Sequence, residues 1–255
     1  MSKIIKYVFY DIVRSKIVLA YTAFLLLLTL GLFGLGGNAD KAVLSLLNLV
    51  LLTVPLISIV FATTHFYNSY EFMELLVAQP IARKKIFMSQ YLGVACSLSG
   101  AFLLGIGVPL LLFGAGGTGL YLLATGVLIT FIFVGMAFLA CVLTRDKAKG
   151  IGVALLLWFY FALIYDGMVL FFLYSFSDYP LETPTLVLTA LNPIDLGRIM
   201  VLLNLDISAL MGYTGAMYKS ILGSLWGIAL AFGLMLLWVV VPVLSSSRLF
   251  SKRDM

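Results

Sequence analysis

Few side chains in this sequence are equipped for chemistry, and they lie far apart. Asp166, in the run WFYFALIYDG, is the only charged residue well inside a long apolar stretch. A carboxylate at mid-bilayer costs about 2.5–3.5 kcal/mol on insertion scales, so it must be solvated, paired or protonated. At a rise of about 1.5 Å per residue it sits roughly 24 Å beyond Gly150, near the edge of a bilayer core. Solvation from that side and a substrate or gating role both stay open, and no Lys or Arg lies in an apolar run to pair with it. The single histidine, His65, ends a different run almost a full bilayer away, so the two cannot form an acid–base dyad. Metal sites need several clustered donors, and His65 is read as an interfacial hydrogen-bonder. Cys96 and Cys141, inside apolar runs, read as packing residues that could approach each other, with no disulfide framework. The ten methionines contain no M-x-M or M-x-x-M pair. There is no G-x-x-x-x-G-K-[ST], H-E-x-x-H or G-x-S-x-G. The chain is therefore not expected to be an enzyme, and neither a metal nor a cofactor site is legible in it.

The polar residues that do cluster point to a mechanical task. Asn68 to Leu92 reads NSYEFMELLVAQPIARKKIFMSQYL. Glu71 and Glu74 lie about one turn apart, with Phe72, Leu75 and Leu76 beside them, so Tyr70 to Gln79 is predicted as a short amphipathic helix. Pro80 disfavours the helical conformation of Gln79 and ends it, and Arg83, Lys84 and Lys85 follow directly before the next apolar run. The 67–90 stretch is thus an elbow between two spans. An interfacial helix and a handle for a soluble partner are both compatible with it.

The elements around the elbow are membrane spans. The 255 residues are 63% hydrophobic and 11% charged, with a mean hydropathy of +1.14; soluble domains carry about 25% charged residues. The predicted fold is an all-α polytopic membrane domain with six transmembrane helices at 17–35, 42–66, 91–113, 120–143, 150–174 and 221–244. The second contains Pro55, where a kink is expected. Residues 1–16 place Ile4, Ile5, Val8, Phe9 and Ile12 at helical spacing and predict an N-terminal interfacial helix, read as retained rather than as a cleaved signal. Ser245 to Met255 reads as a polar, basic tail. Thirteen of the 16 Lys and Arg fall at Lys3–Lys16, Arg83–Lys85, Arg145–Lys149 and Arg248–Arg253. The excess of basic residues on one side places both termini, the elbow and the Arg145 loop in the cytoplasm, in an inner, cytoplasmic membrane. The pI of about 9.1 therefore describes a membrane face and argues against nucleic acid.

The opposite face carries an acidic segment, 175–220. Within it Asn192, Pro193 and Asp195 supply a cap, a first-turn proline and a first-turn acid, predicting a helix from Pro193 to about Leu203. Its apolar residues suggest that it rests on the membrane or the outer ends of the spans, its polar edge (Asn192, Pro193, Asp195, Arg198, with Asp206 beyond) facing a periplasmic partner. Sealing the outer mouth, as an interfacial or re-entrant helix, is the alternative. In the sixth span Gly223, Gly227 and Ala231 recur every four residues, and Ser97, Ala101 and Gly105 do so in the third. Such ridges let backbones approach closely, within one chain or between two copies.

The run EFMELLVAQPIARKKIFMSQYLG is similar to the coupling segment of the ABC-2 type permease family, in which an acidic helix, a proline and basic residues precede the third of six spans. The resemblance covers the whole topology. It implies that Glu71, Glu74, Pro80, Arg83, Lys84 and Lys85 contact a separate ABC-type ATPase subunit, which holds ATP and Mg, and that two copies of the chain assemble with two ATPases. LLWFYFALIYD, Leu156 to Asp166, and LNPIDLGRI, Leu191 to Ile199, further resemble permeases that serve copper-centre maturation of nitrous oxide reductase. That likeness implies a periplasmic copper-handling partner of β-helical type, although no ligand cluster here supports copper binding by the chain itself. An ABC-2 exporter of a lipid, drug or peptide is a second expectation. A self-sufficient secondary transporter or channel using Asp166 is a third, for which no internal repeat speaks.

Overall fold

The computed structural model describes residues 2–36, 39–113, 116–144, 146–179, 182–203 and 225–252. These are helical, and the described residues contain no strand. In chain order the helices are α1 (Ser2–Val13), α2 (Lys16–Gly36), α3 (Ala39–Asn68), α4 (Tyr70–Val77), α5 (Arg83–Leu112), α6 (Gly116–Leu143), α7 (Lys147–Ser175), α8 (Glu182–Ala190), α9 (Pro193–Leu202) and α10 (Leu225–Lys252). Six of them, α2, α3, α5, α6, α7 and α10, are long and apolar enough to cross a membrane. The bundle has a basic end, with the elbow, the start of α7 and the end of α10, and a far end where α8 begins.

α6 is the axis of the bundle. It packs along α3 and α10 and also touches α5, α7 and α9. In its most apolar stretch 72% of residues are buried, against 22% for α2, 17% for α7 and 28% for α10, whose outer faces are left for lipid or a second copy. Small residues permit the tight crossings: a Cβ on Gly126 would lie 2.1 Å from Cζ of Phe102, so α5 and α6 approach backbone to ring there. α1 lies along the first half of α5, where Gly93 leaves room for Val8.

Several expectations on helix limits change. The third spanning helix starts at Arg83 rather than Tyr91, so the basic cluster forms its first turn. The tail expected from Ser245 continues α10 as helix through Lys252, because Val243, Ser246, Ser247 and Phe250 bury one stripe at helical spacing. Phe250 enters a knot of aromatic rings at the basic end. It lies 5.4 Å from Phe87 and 6.5 Å from Phe66, while Phe138 meets Phe66 at 5.2 Å and Phe87 at 5.5 Å, mostly edge to face. α3, α5, α6 and α10 are therefore pinned together beneath the elbow. Pro55 lies inside α3, which continues through it, and Nε1 of Trp158 on α7 donates to the Leu52 carbonyl in the preceding turn at 3.3 Å.

α5 and α7 each contain one π-helical segment, at Leu103–Gly107 and Tyr160–Ile164. In α5 it accompanies a close crossing, since a Cβ on Gly105 would lie 2.7 Å from Cβ of Leu25 on α2. In α7 it lies where α9 docks.

Candidate functional site

The elbow is a rigid projection with an uncommitted surface. Met73 and Leu76 of α4 are buried against the bundle, while Glu71, Glu74 and Leu75 face outward, Leu75 at 68% exposure. The amphipathic spacing of the sequence is what divides them. Phe72 meets Tyr7 of α1 with ring centroids 5.4 Å apart. The end of α3 is clamped to the connection between α6 and α7: Tyr67 hydroxyl and Thr144 Oγ1 are 2.6 Å apart, and Lys147 Nζ donates to Asn68 Oδ1 at 2.8 Å. A Cβ on Gly150 would collide with the Tyr67 ring, so glycine is what lets α7 come this close.

Pro80, Lys84 and Lys85 are exposed and Arg83 is half-buried. The N-terminus of α5 has no side-chain cap and no acidic residue in its first turn. Exposed Lys84 and Lys85 at the positive end of a helix dipole are placed against the usual preference, by some tenths of a kcal/mol each, which favours an acidic or anionic counterpart from outside. The structure thus presents the six elbow residues on one projection, with Leu75 as an apolar centre that the sequence reading did not single out.

At the far end, α8 and α9 form a bent pair, with 111° between Pro184–Ala190 and Pro193–Leu202. The expectation that this segment rests on the outer ends of the spans is corrected: it dips into the bundle. A Cβ on Gly197 would meet Thr125 at 2.7 Å, Ile129 at 3.0 Å and Leu51 at 3.5 Å. Ile129 lies roughly 20 Å along α6 from Gly116, close to the middle of that helix. Trp238, midway along α10, donates from Nε1 to the Ala190 carbonyl at 3.1 Å.

Asn192 turns the pair and is fully buried, its side chain completely used. Oδ1 accepts from the Ile194 amide at 3.0 Å, the cap that the N-P-x-D pattern predicts. Nδ2 donates to the Phe161 carbonyl and to Oδ2 of Asp195, each at 3.0 Å. Phe161 belongs to the π-helical segment of α7, where the wider turn opens a carbonyl to an outside donor.

Beside this joint, Nη1 of Arg198 contacts Oδ2 of Asp166 and Oδ1 of Asp195, both at 3.2 Å. The sequence argument that no cation was at hand for Asp166 is overturned, because the partner arrives on a re-entering helix rather than on a span. The Asp166 and Arg198 side chains keep 30% and 35% of their surface, Asp195 15%. Two carboxylates share one guanidinium, leaving one negative charge in excess when all are ionised. Oδ1 of Asp166 and Nε of Arg198 are buried without a partner, so the cluster is under-satisfied as it stands.

The remaining expected residues divide. Asn192 and Pro193 are buried and belong to the hairpin's internal structure, which leaves Asp195 and Arg198 as the accessible polar part of the proposed docking edge. Gly227 and Ala231 are buried in α10, which packs inside the chain against α6, α5 and α9; Gly223 and Asp206 lie outside the described residues. Cys96 is exposed and Cys141 is buried with its thiol toward the Thr63 carbonyl, and neither is in a disulfide. His65 bonds Ser69 Oγ from Nε2 at 3.3 Å and stacks on Phe61. Among the described residues no three His, Cys, Asp or Glu side chains converge as metal donors would.

Comparison with known proteins agrees with this architecture. The family described as ABC-2 family transporter protein matches residues 3–255. The chain is 28% identical over 228 residues to the probable ABC transporter permease protein NosY of Pseudomonas aeruginosa, covering 79% of this chain and 81% of that one. It is 26% identical over 269 aligned positions to the protein of the same name from Stutzerimonas stutzeri, covering 95% of each. A helical bundle with six apolar spans and an elbow before the third, matched over nearly its whole length, belongs to the ABC-2 family of transporter proteins, whose members are the transmembrane and not the catalytic subunits of ABC transporters.

Proposed function

We propose that the chain couples a partner ATPase to a periplasmic copper-handling protein during assembly of the nitrous oxide reductase copper centre, as a dimer in the inner membrane with both termini in the cytoplasm. The observation that carries this reading is the continuity of α3. One 30-residue helix has the elbow at one end and, past its middle, supports α9 through Leu51. A tilt imposed on the elbow is carried by α3, with the aromatic knot as its pivot, to the re-entering hairpin, whose charged edge then shifts toward or away from a partner. The likeness of 156–166 and 191–199 to copper-centre maturation permeases supports that role, alongside two relatives named as NosY permeases, and the one-sided distribution of Lys and Arg supports the orientation.

The test is co-purification and coupling. Arg83→Glu/Lys84→Glu/Lys85→Glu and, separately, Leu75→Asp are expected to abolish co-purification of the ATPase and reductase maturation, while the chain still inserts with unchanged topology. Wild-type maturation in both variants, with topology intact, would remove the elbow from the mechanism. An apolar recess of about 570 Å³ between α7 and α8, lined by Tyr165, Met168, Phe172 and Leu188 among others, favours a second reading, export of a lipid or other amphiphile. ATPase stimulation by such a compound in a reconstituted complex, with no effect on copper-centre assembly, would establish it instead.

A further inference from the structure

Two connected recesses at the basic end have no place in the coupling scheme. The larger, about 370 Å³, is lined by Asp11, Arg14, Ser15 and Ile17 from α1 and the start of α2, and by Phe61, Thr64, His65 and Asn68 from α3. The smaller, about 190 Å³, opens beside exposed Tyr7, is bounded by Ser69 and Phe72, and reaches in to buried Gln90. Asp11, His65 and Asn68 border both, so the two form one bent cleft.

Around the smaller recess both a donor and an acceptor are left without partners. Gln90 is only 2% exposed, yet neither Oε1 nor Nε2 has a hydrogen-bond partner; it lies beside the His65 ring without a bond of good geometry. Native interiors seldom leave both ends of an amide unpaired, because each orphaned group carries its full desolvation cost. Asp11 opens on the same space with no ion-pair partner among the described residues, and no ion pair is formed by Arg14 at the cleft's mouth. Asn68 spends Oδ1 on Lys147 and keeps its Nδ2 to donate. The charged residues of the lining therefore balance, with Asp11 bordering both recesses and Arg14 only the larger, and both exposed. The mouth mixes Ile17 and Phe61 with hydroxyls and lies at the start of α2, which on the multi-pass topology is where lipid headgroups are expected.

We infer that this cleft holds a phosphatidylethanolamine molecule of the adjoining leaflet, its ammonium in the deep recess with Asp11 and Gln90 Oε1 and its phosphate at the mouth with Arg14, Ser15, Thr64 and Asn68 Nδ2. A primary ammonium can donate to Asp11 and to buried Gln90 Oε1, which a choline group cannot. The net-neutral lining fits a zwitterion better than an anionic glycerol headgroup. The Tyr7 and Phe72 rings wall the ammonium side, as aromatic faces suit a cation. The site lies between α1 and the elbow, so the lipid is a wedge holding α4 against the bundle. This assignment rests on the multi-pass topology and not on the copper-centre role.

The test uses the full chain in nanodiscs of equal phosphatidylethanolamine, phosphatidylcholine and phosphatidylglycerol, followed by native mass spectrometry of the lipid retained. Phosphatidylethanolamine should be retained about tenfold over either other lipid, as one charge-assisted hydrogen-bonded group provides. Asp11→Asn should lose that preference and Asp11→Glu keep it. Gln90→Met, which fills the deep recess with an apolar chain, should lose it too, with helicity unchanged in all three. Equal retention of the three lipids, undiminished retention in Asp11→Asn, or no retained lipid would overturn the site and leave a hydrated cleft. Soluble glycerophosphoethanolamine binding as tightly as the lipid would overturn the membrane source in favour of a free headgroup ligand.

Discussion

At the scale of single residues, Arg198 has the most to lose. Among the described residues it is the one cation paired with Asp166 and Asp195, and its removal leaves two carboxylates facing each other in a partly desolvated joint. Arg198→Ala should destabilise the protein by on the order of 1–2 kcal/mol, a charged hydrogen bond discounted for a group about a third exposed. Asp166→Asn should cost less, because Arg198 keeps Asp195 and the excess negative charge disappears. Thermal unfolding of the two variants in the same detergent orders them, and a larger loss for Asp166→Asn would contradict the shared-guanidinium arrangement. Asn192→Ala removes a cap and two buried donated bonds at once, for about 2 kcal/mol or more. Asn192→Asp keeps the cap but sets a third carboxylate beside Asp195, so it should not restore stability in the same assay.

At the scale of elements, what could be read from the sequence followed periodicity. The spans, the α4 break at Pro80 and the α9 cap were legible because each rests on local signals: apolar length, a proline, an N-P-x-D run. The depth of α9 was not. Its apolar residues argued for burial, but the space that receives it is made by Gly197 on one side and by Thr125, Ile129 and Leu51 on the other, and no local pattern joins residues so distant in the chain. The pairing of Asp166 with Arg198 was hidden for the same reason. The last turns of α10 were missed because two of the four buried positions on their inner stripe are serines, which read as tail. Gly197→Val should push α9 out of the bundle, with a cysteine at Asp195 becoming more reactive toward an impermeant thiol reagent. Unchanged reactivity would mean that the neighbours yield. Phe250→Ala should cost about 3–5 kcal/mol as a large ring lost from a closed cluster, read by the same unfolding assay.

At the scale of the whole molecule, the two ends of the bundle are held by different means. The basic end holds the aromatic knot, the Tyr67 and Asn68 clamps and the packed α1, whereas the far end is held by the packing of α9 around Gly197 and by polar bonds from Trp238, Asn192 and Arg198 beside a π-helical segment. A displacement applied at the elbow is therefore expected to appear mainly as a change at α8 and α9. Spin labels on α4 and α9 in the assembled complex, compared with and without ATP, measure this, and a hairpin that holds still while the elbow moves would refute it.

The aromatic knot has a temporal consequence. Phe66, Phe87 and Phe138 come from helices that leave the ribosome well before α10, yet the pocket between them stays open until Phe250 arrives. During synthesis the elbow is thus presented on an unfinished base, and it becomes a firm handle only when the last described helix has been threaded into place. On the proposed coupling role, a partner that grips the elbow is expected to engage it only once α10 has docked, so that the order of synthesis would set the order of assembly.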